Sequence, residues 1–437
     1  MILILGAGES GVGAALLAKK MTLPVFVSDS NAIRDSFRKE LIDNEIDFEE
    51  GSHDIAYGIS PNFIVKSPGI PDQAEIIGHF KNQGIDVISE IEFAYRYCRG
   101  TIIGITGSNG KTTTTNLIFH LLKQNNKDVI KAGNVGFSFA RAISIKNWEY
   151  YVLELSSFQL DGIQEFKPRF GVLLNITPDH MDRYQNQFDL YVASKFRITE
   201  NQTSEDFLIT YEKDPAIQKY LKEHGIQARL LSLNPDFNLN EEVILDGSII
   251  ANLKNTVLKG KHNAINVACA VKIATFIGLR QEEIQSALLN FVNDPHRLES
   301  VGEINEVLFV NDSKATNVDS VFWALDAMKQ KVVWIAGGLD KGNDYAAIEA
   351  LVVQKVSALI CLGVDNQKLL KSFTKIVPLI KDTHSIQDAV RIAFEIAKKG
   401  EVVLLSPGCA SFDLFKNYED RGNQFKEEVK KLSLLTK

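Results

Sequence analysis

Cysteine is scarce and scattered in this chain. Cys98, Cys269, Cys361 and Cys409 are its four thiols and form no C-x-x-C pair. The spacing therefore offers neither a zinc site nor a disulfide framework, as expected in a reducing cytosol. Long apolar runs are missing too, and without about eighteen consecutive apolar residues no membrane-spanning helix is predicted. The apolar start Met1-Ile2-Leu3-Ile4-Leu5 lacks a basic flank and runs into a glycine-rich turn. It reads as a first buried strand, not a signal peptide. Positive charge is in deficit. A net charge of −7 argues against nucleic acid or an acidic membrane as partner, while local cations and backbone N–H groups can still bind a small anion. There is no low-complexity tract and no short tandem repeat. Together these absences predict a cytoplasmic protein, and without a long exposed apolar helix a monomer is expected.

What is present is strand–turn–helix alternation over 437 residues, enough for roughly two to four domains. The first segment reads as a strand at 2–5, a glycine turn, a helix to about residue 20, strands at 25–28, 63–65 and 86–89, and a helix over 90–97. The second has strands at 101–106, 151–155 and 171–174, with helices over 111–125, 190–200 and 264–277 and short strands and turns over 230–258. The third has strands at 307–310, 332–336, 358–362 and 402–405. Such alternation predicts an α/β chain with parallel sheets covered by helices. Breaks at Arg99-Gly100 and Asn293-Asp294-Pro295 divide it into three domains, 1–98, 99–294 and 295–437.

The strongest chemical signal is Gly107-Ser108-Asn109-Gly110-Lys111-Thr112, followed by Thr113, between an apolar strand and a helix. Glycines let backbone N–H groups curl toward phosphate oxygens, and the helix N-terminus adds partial positive charge. Lys111 is placed to neutralise the β/γ-phosphates and Thr112 to hold Mg²⁺. The strict phosphate-loop pattern requires Gly where Ile105 stands, so this loop is a variant.

Further candidates end strands of the same segment. Glu154 precedes Ser156-Ser157-Phe158-Gln159, and His180 lies in Asp179-His180-Met181-Asp182-Arg183-Tyr184. Ligands of open α/β sheets gather at carboxyl ends of strands, and Mg²⁺ shares oxygen ligands with substrate phosphates. Glu154 with Thr112 suits one ion; neutral His180 suits a second ion or contact with an acyl phosphate. Lys195, by spacing alone, is a solvated helix lysine. Gly6, Gly8 and Gly11 form G-x-G-x-x-G, with Asp29 ending the next strand, a pattern that suits a nucleotide diphosphate and, in isolation, a nicotinamide. In the third segment, Asn311-Asp312-Ser313-Lys314-Ala315-Thr316-Asn317, Gly337-Gly338-Leu339-Asp340-Lys341-Gly342 and Ser406-Pro407-Gly408-Cys409-Ala410-Ser411-Phe412-Asp413 each follow a strand. Those turns are expected to share one sheet edge and to receive an anionic second substrate.

The ordered series of these motifs, with Lys261-His-Asn-Ala-Ile-Asn266 and His296-Arg297, resembles the Mur ligase family over essentially the whole chain. The resemblance implies a Rossmann-like first domain, a central phosphate-loop ATP-binding domain and a Rossmann-like C-terminal domain. It also implies an ATP-dependent ligase of peptidoglycan precursor synthesis that works through an acyl phosphate. The pattern Phe415-Lys416-Asn417-Tyr418 followed by Arg421-Gly422 points to the members that add D-glutamate to UDP-N-acetylmuramoyl-L-alanine. By the same resemblance Ser10, Asp29, Ser30 and Gly69 bind the UDP, and Asn134, Ser157, Gln159 and His180 meet the muramoyl-alanine arm. ATP falls to the loop 107–113, Asn266, Arg297 and Asp312. D-glutamate falls to Lys314, Thr316, Lys341, Ser411 and Tyr418. Two Mg²⁺ ions are implied, with Thr112, Glu154, His180 and a CO₂-derived carbamate on Lys195 as ligands. Catalysis is implied for Lys111, Glu154, His180 and Lys195. Tyr418 replaces a usual phenylalanine, and Asn31 stands where related chains often carry an arginine.

Competing readings are a folylpolyglutamate-type ligase, a nicotinamide-dependent oxidoreductase built on 1–98, and a nucleotide sensor. The first lacks a UDP-type first domain, the second leaves the phosphate loop idle, and the third has no need of Glu154, His180 and Lys195 together.

Overall fold

A computed structural model describes residues 1–258, 260–340 and 342–435. The chain forms two compact units, Met1–Thr256 with Ala264–Phe291, and Val257–Asn263 with Val292–Lys437.

The first unit holds two parallel sheets. Strands β1 (Ile2–Leu5), β2 (Val25–Asp29), β3 (Asp47–Glu50), β4 (Phe63–Lys66) and β5 (Val87–Ser89) run in the order β3-β2-β1-β4-β5, all parallel. Every residue of β1 is buried, which is why this central strand is uninterruptedly apolar. The turn after it has Gly6 at φ +90°, and a Cβ on Gly11 would lie 1.7 Å from the Gly6 carbonyl oxygen. Helix Glu9–Lys20 thus packs on the turn with no space for a side chain. Gly11→Ala is expected to destabilise the protein by about 3 kcal/mol, an overpacking cost, read as a lower denaturation midpoint. An unchanged midpoint would show that the helix can move away freely.

The second sheet contains β6 (Thr101–Thr106), β7 (Val129–Gly133), β8 (Tyr150–Glu154), β9 (Phe170–Leu173), β10 (Phe207–Tyr211) and β11 (Arg229–Leu233), in the order β11-β10-β9-β6-β8-β7. All its pairings are parallel. The strand-and-turn region expected over 230–258 divides differently. Its first residues form the edge strand β11, and only β12 (Asp236–Phe237), β13 (Glu242–Leu245) and β14 (Ser248–Asn252) make a small antiparallel sheet.

Carboxylates, one of them fully buried, tie the two parallel sheets into one unit. Glu92 Oε2 accepts the N–H groups of Gln164, Glu165 and Phe166 at 2.8, 3.0 and 2.9 Å. Arg141 bridges Glu9, at 2.7 Å, and Glu40.

In the second unit β15 (Glu299–Ile304), β16 (Val307–Asn311), β17 (Val332–Gly337), β18 (Val356–Leu362), β19 (Ile380–Thr383) and β20 (Val402–Gly408) run β15-β16-β20-β17-β18-β19. Only the β15–β16 pair is antiparallel. Strands β16, β20 and β17 are neighbours, so the three polar turns of the third segment do share one sheet edge. Among the described residues no helix is long and apolar enough to cross a membrane.

Candidate active site

The phosphate loop joins β6 to helix Lys111–Gln124. Gly107 at φ +144° and Gly110 at φ +84° adopt backbone conformations that side chains resist. Thr112 and Thr113 are buried in the first helical turn. Asn266 packs against the loop: a Cβ on Gly110 would come within 2.6 Å of its Oδ1, and Thr114 Oγ1 lies 3.2 Å from that oxygen.

β6 has β9 and β8 as neighbours, so the segments leaving all three strands meet at one edge. On the β9 side the loop is laced to residues 175–177. Asn109 N–H donates to Asn175 Oδ1 (2.8 Å), Asn175 Nδ2 donates to Asn109 O (3.0 Å), and Ser108 Oγ donates to Thr177 O (2.8 Å). This lacing holds the segment carrying His180, which has φ +53° and stands edge-on to Phe158, 5.1 Å between ring centres. On the β8 side sits Glu154, only 2% exposed. Its Oε1 accepts Asn134 Nδ2 at 3.0 Å, while its buried Oε2 has no hydrogen-bond partner among the described residues. A buried carboxylate oxygen without a donor is costly and suits a cation ligand. Ser156, not Glu154, caps the short helix Ser157–Leu160, in a capping box with Gln159. Gln159 is thus committed locally, and the Ser157 carbonyl accepts Ser194 Oγ at 3.2 Å.

Lys195 corrects the reading from spacing alone. It is 2% exposed, because the face of helix Phe188–Phe196 that carries it turns inward. Its Nζ donates to Gly107 O at 2.8 Å, the same carbonyl that Lys111 Nζ reaches at 2.8 Å. Burial, then the Lys111 charge, hold the Lys195 amine well below the usual lysine range, against the opposing pull of Asp179, Asp161 and Glu154. One residue outside the motif reading holds this helix. Asp161 accepts Ser194 Oγ (2.5 Å) and Tyr184 OH (2.9 Å). Its signal was weak, since an Asp after a short helix reads as a solvated turn residue.

Ser10, Asp29, Ser30 and Gly69 all line one cavity of about 710 Å³ at the edge of the first sheet. Asp29 accepts Ala7 N–H (2.7 Å) and Asn31 N–H (2.9 Å), so it also braces the glycine turn.

In the second unit, Asp312 accepts Ser406 Oγ at 2.9 Å and Leu298 N–H at 3.2 Å, and burial pushes its carboxyl up to about 7. The buried Nε of Arg297 has no partner among the described residues. Lys314 Nζ stands 5.3 Å over the Tyr418 ring, Thr316 is exposed and Ser411 buried. Lys341 lies outside the described residues. Arg421 is buried and donates to Ser313 Oγ (3.0 Å), Ser313 O (2.8 Å) and Cys409 O (3.2 Å). It binds the turns after β16 and β20 together. A Cβ on Gly422 would lie 2.1 Å from His296 Nδ1. Both halves of the Arg421-Gly422 pattern therefore carry packing.

Residues 105–274 match the family model of the Mur ligase middle domain, and 296–409 that of the Mur ligase glutamate ligase domain. The chain belongs to the Mur ligase family. It is 52% identical to the UDP-N-acetylmuramoylalanine–D-glutamate ligase of Cytophaga hutchinsonii over 99% of both chains, and 48% identical to that of Porphyromonas gingivalis over 98% of both. Among solved structures it resembles a Mur ligase of Thermotoga maritima, UDP-N-acetylmuramate–alanine ligase, with TM-score 0.63, 17% identity and 99% of both chains covered. The folylpolyglutamate synthase of Mycobacterium tuberculosis shares the fold over 73% of this chain and 90% of its own (TM-score 0.58, 13% identity).

Among the described residues no three His, Cys, Asp or Glu side chains cluster as metal ligands. A Mg²⁺ shared with phosphates needs fewer protein carboxylates than that, and the Thr112 hydroxyl and the buried Glu154 carboxylate fit such an ion.

Proposed function

We propose that this chain joins D-glutamate to UDP-N-acetylmuramoyl-L-alanine, with cleavage of ATP to ADP and phosphate, as a cytoplasmic and monomeric step of peptidoglycan precursor synthesis. Its likeness over nearly full length to ligases named for that reaction carries the reading. The first sheet's cavity takes the UDP, with Ser10, Asp29, Ser30 and Gly69 on its wall, and Asn134, Ser157 and Gln159 lie toward the muramoyl-alanine arm. The loop 107–113 and Asn266 hold the ATP phosphates, and Arg297 and Asp312 are nucleotide contacts of the second unit. Lys314, Thr316, Lys341, Ser411 and Tyr418 serve D-glutamate.

The alanyl carboxylate attacks the γ-phosphorus, the bond to the β-phosphate oxygen breaks, and ADP leaves. The neutral glutamate amine then adds to the acyl carbon and gives up a proton, the bond from that carbon to the phosphate oxygen breaks, phosphate departs and the amide remains. Lys111 offsets negative charge on the transferring phosphoryl group. Thr112, Glu154, His180 and a carbamate on Lys195 would hold Mg²⁺, which would supply electrostatic stabilisation of the phosphates. Lys195 forms its carbamate when the neutral amine adds to CO₂ and loses a proton, and burial beside Lys111 favours that neutral amine.

Phosphate release should depend on ATP, UDP-N-acetylmuramoyl-L-alanine and D-glutamate together. Release that ignores the amino acid, or NADH binding without ATP binding, would overturn the assignment.

A further inference from the structure

The polar turns after β16, β17 and β20 meet at a point that has no role in the reading above. It is the peptide of Gly408, the last residue of β20. Its N–H donates to Ala315 O at 2.9 Å, and its carbonyl accepts Asn343 Nδ2 at 2.9 Å. The same amide nitrogen lies 3.2 Å from Tyr345 OH and 3.3 Å from Cys409 Sγ, two buried groups. Burial holds the Cys409 thiol above its ordinary range, so the sulfur is neutral and a weak acceptor. The Gly408 carbonyl is therefore the principal partner, and it decides which way the amide points. Rotated by half a turn, Asn343 would set its own oxygen against that carbonyl. The backbone of Asn343 is fixed too. Asp340 Oδ1 accepts the N–H groups of Gly342 (2.7 Å) and Asn343 (3.1 Å) and the Lys368 ammonium (3.0 Å), while Tyr345 OH donates to Asp340 Oδ2 at 3.3 Å.

We infer that Asn343 is a positioning residue for the amino-acid substrate, joining the turn after β17 to the two other turns assigned to D-glutamate. The inference rests on that assignment. Along the chain Ala315 lies between Lys314 and Thr316, Asn343 comes two residues after Lys341, and Gly408 three before Ser411. The strand ladders do not set the spacing of these turns. The β16–β20 ladder ends at Asn311 and Leu405, and the β17–β20 ladder slips its register before ending at Gly337 and Gly408. Beyond those points side chains must hold the turns together. Arg421 does so for the turns after β16 and β20, and the Asn343 amide does so for the turn after β17. Without that amide each turn keeps its own residues but is free to drift by more than the roughly 0.5 Å that a binding constellation tolerates. The turn after β17 carries no residue assigned to ATP or to the UDP substrate, so the loss should fall on one substrate.

The test is steady-state kinetics of the full-length protein with each of the three substrates varied in turn. Asn343→Ala should raise KM for D-glutamate about tenfold, the equivalent of one hydrogen bond. Its KM for ATP and for UDP-N-acetylmuramoyl-L-alanine, and its kcat, should stay within about threefold of the unsubstituted values, the pattern of lost binding. Asn343→Asp matches the amide in size but presents oxygen to the Gly408 carbonyl, so it should raise the D-glutamate KM at least as much. Tyr345→Phe keeps the ring and the Asn343–Gly408 bond and should change that KM by no more than about threefold. A D-glutamate KM that moves less than about threefold in either folded Asn343 variant overturns the inference. So does a rise shared equally by all three substrates, and so does failure of both variants to fold, since either would make Asn343 a residue of general stability. If the unsubstituted protein makes no product from D-glutamate, the reading of the site itself fails, a different outcome from turnover with an unaltered KM in the variants.

Discussion

Lys195→Ala is expected to lower turnover by about a thousandfold, the scale on which loss of a preorganised electrostatic group at a phosphoryl-transfer centre is felt. Acetate or formate should restore part of it. Lys195 is buried, donates to the Gly107 carbonyl that Lys111 also reaches, and carries an amine held well below the usual lysine range by burial and by Lys111. Two ammonium groups converging on one carbonyl repel each other, and conversion of one to a carbamate replaces a repelled cation with an anion. Such an anion would face Lys111 and offer oxygens to Mg²⁺. Alanine removes the anion and leaves a space that a short carboxylate can enter. Intact mass of the native protein equilibrated with CO₂ should show one added CO₂, lost in the variant. A Lys195→Ala protein with unaltered turnover would sink the carbamate role. Activity that is lost and not rescued, with no mass difference, would assign Lys195 a packing role instead.

The second large effect is at Glu154. Glu154→Gln should reduce turnover by about a hundredfold to a thousandfold and raise the Mg²⁺ concentration needed for half-maximal rate. Its melting temperature should stay the same or rise. Oε1 already has the Asn134 amide, but the buried Oε2 has no donor among the described residues. An anion in that position is a burden on the free protein, one that a cation relieves. An amide carries no such charge, and its carbonyl can still accept from Asn134. Activity and stability therefore separate, as expected where a site's charge serves function. A marked fall in melting temperature with normal Mg²⁺ dependence would show Glu154 to be structural.

Much of this was legible in the chain itself. Strands buried on both faces, such as β1 and β6, announce themselves as short apolar runs, and the loops after them carry glycine and lysine that few other structures require. Most edge strands gave no such signal, β5 excepted, and the inner strand β10 was missed as well. β3 is Asp47-Phe48-Glu49-Glu50 at a sheet edge, and its acids have local partners: Glu49 takes Ser28 and the amides of Ile55 and Ala56, and Glu50 takes Arg38 at 2.7 Å. β7, β15 and β19 are likewise edge or next-to-solvent strands. Their residues answer to neighbours distant in sequence, not to an apolar period.

The order of motifs along the chain determined the family, the parallel α/β class and the strand ends at which chemistry gathers, because glycine turns and buried strands depend on local backbone and burial requirements. Tertiary structure decided the rest. Only packing turned Lys195 inward onto the Gly107 carbonyl, left Glu154 Oε2 without a donor among the described residues, and committed Gln159 and Arg421 to holding loops. A side chain's exposure and charge state depend on what surrounds it, and those surroundings are brought together by strands that are neighbours in the sheet while far apart in the sequence.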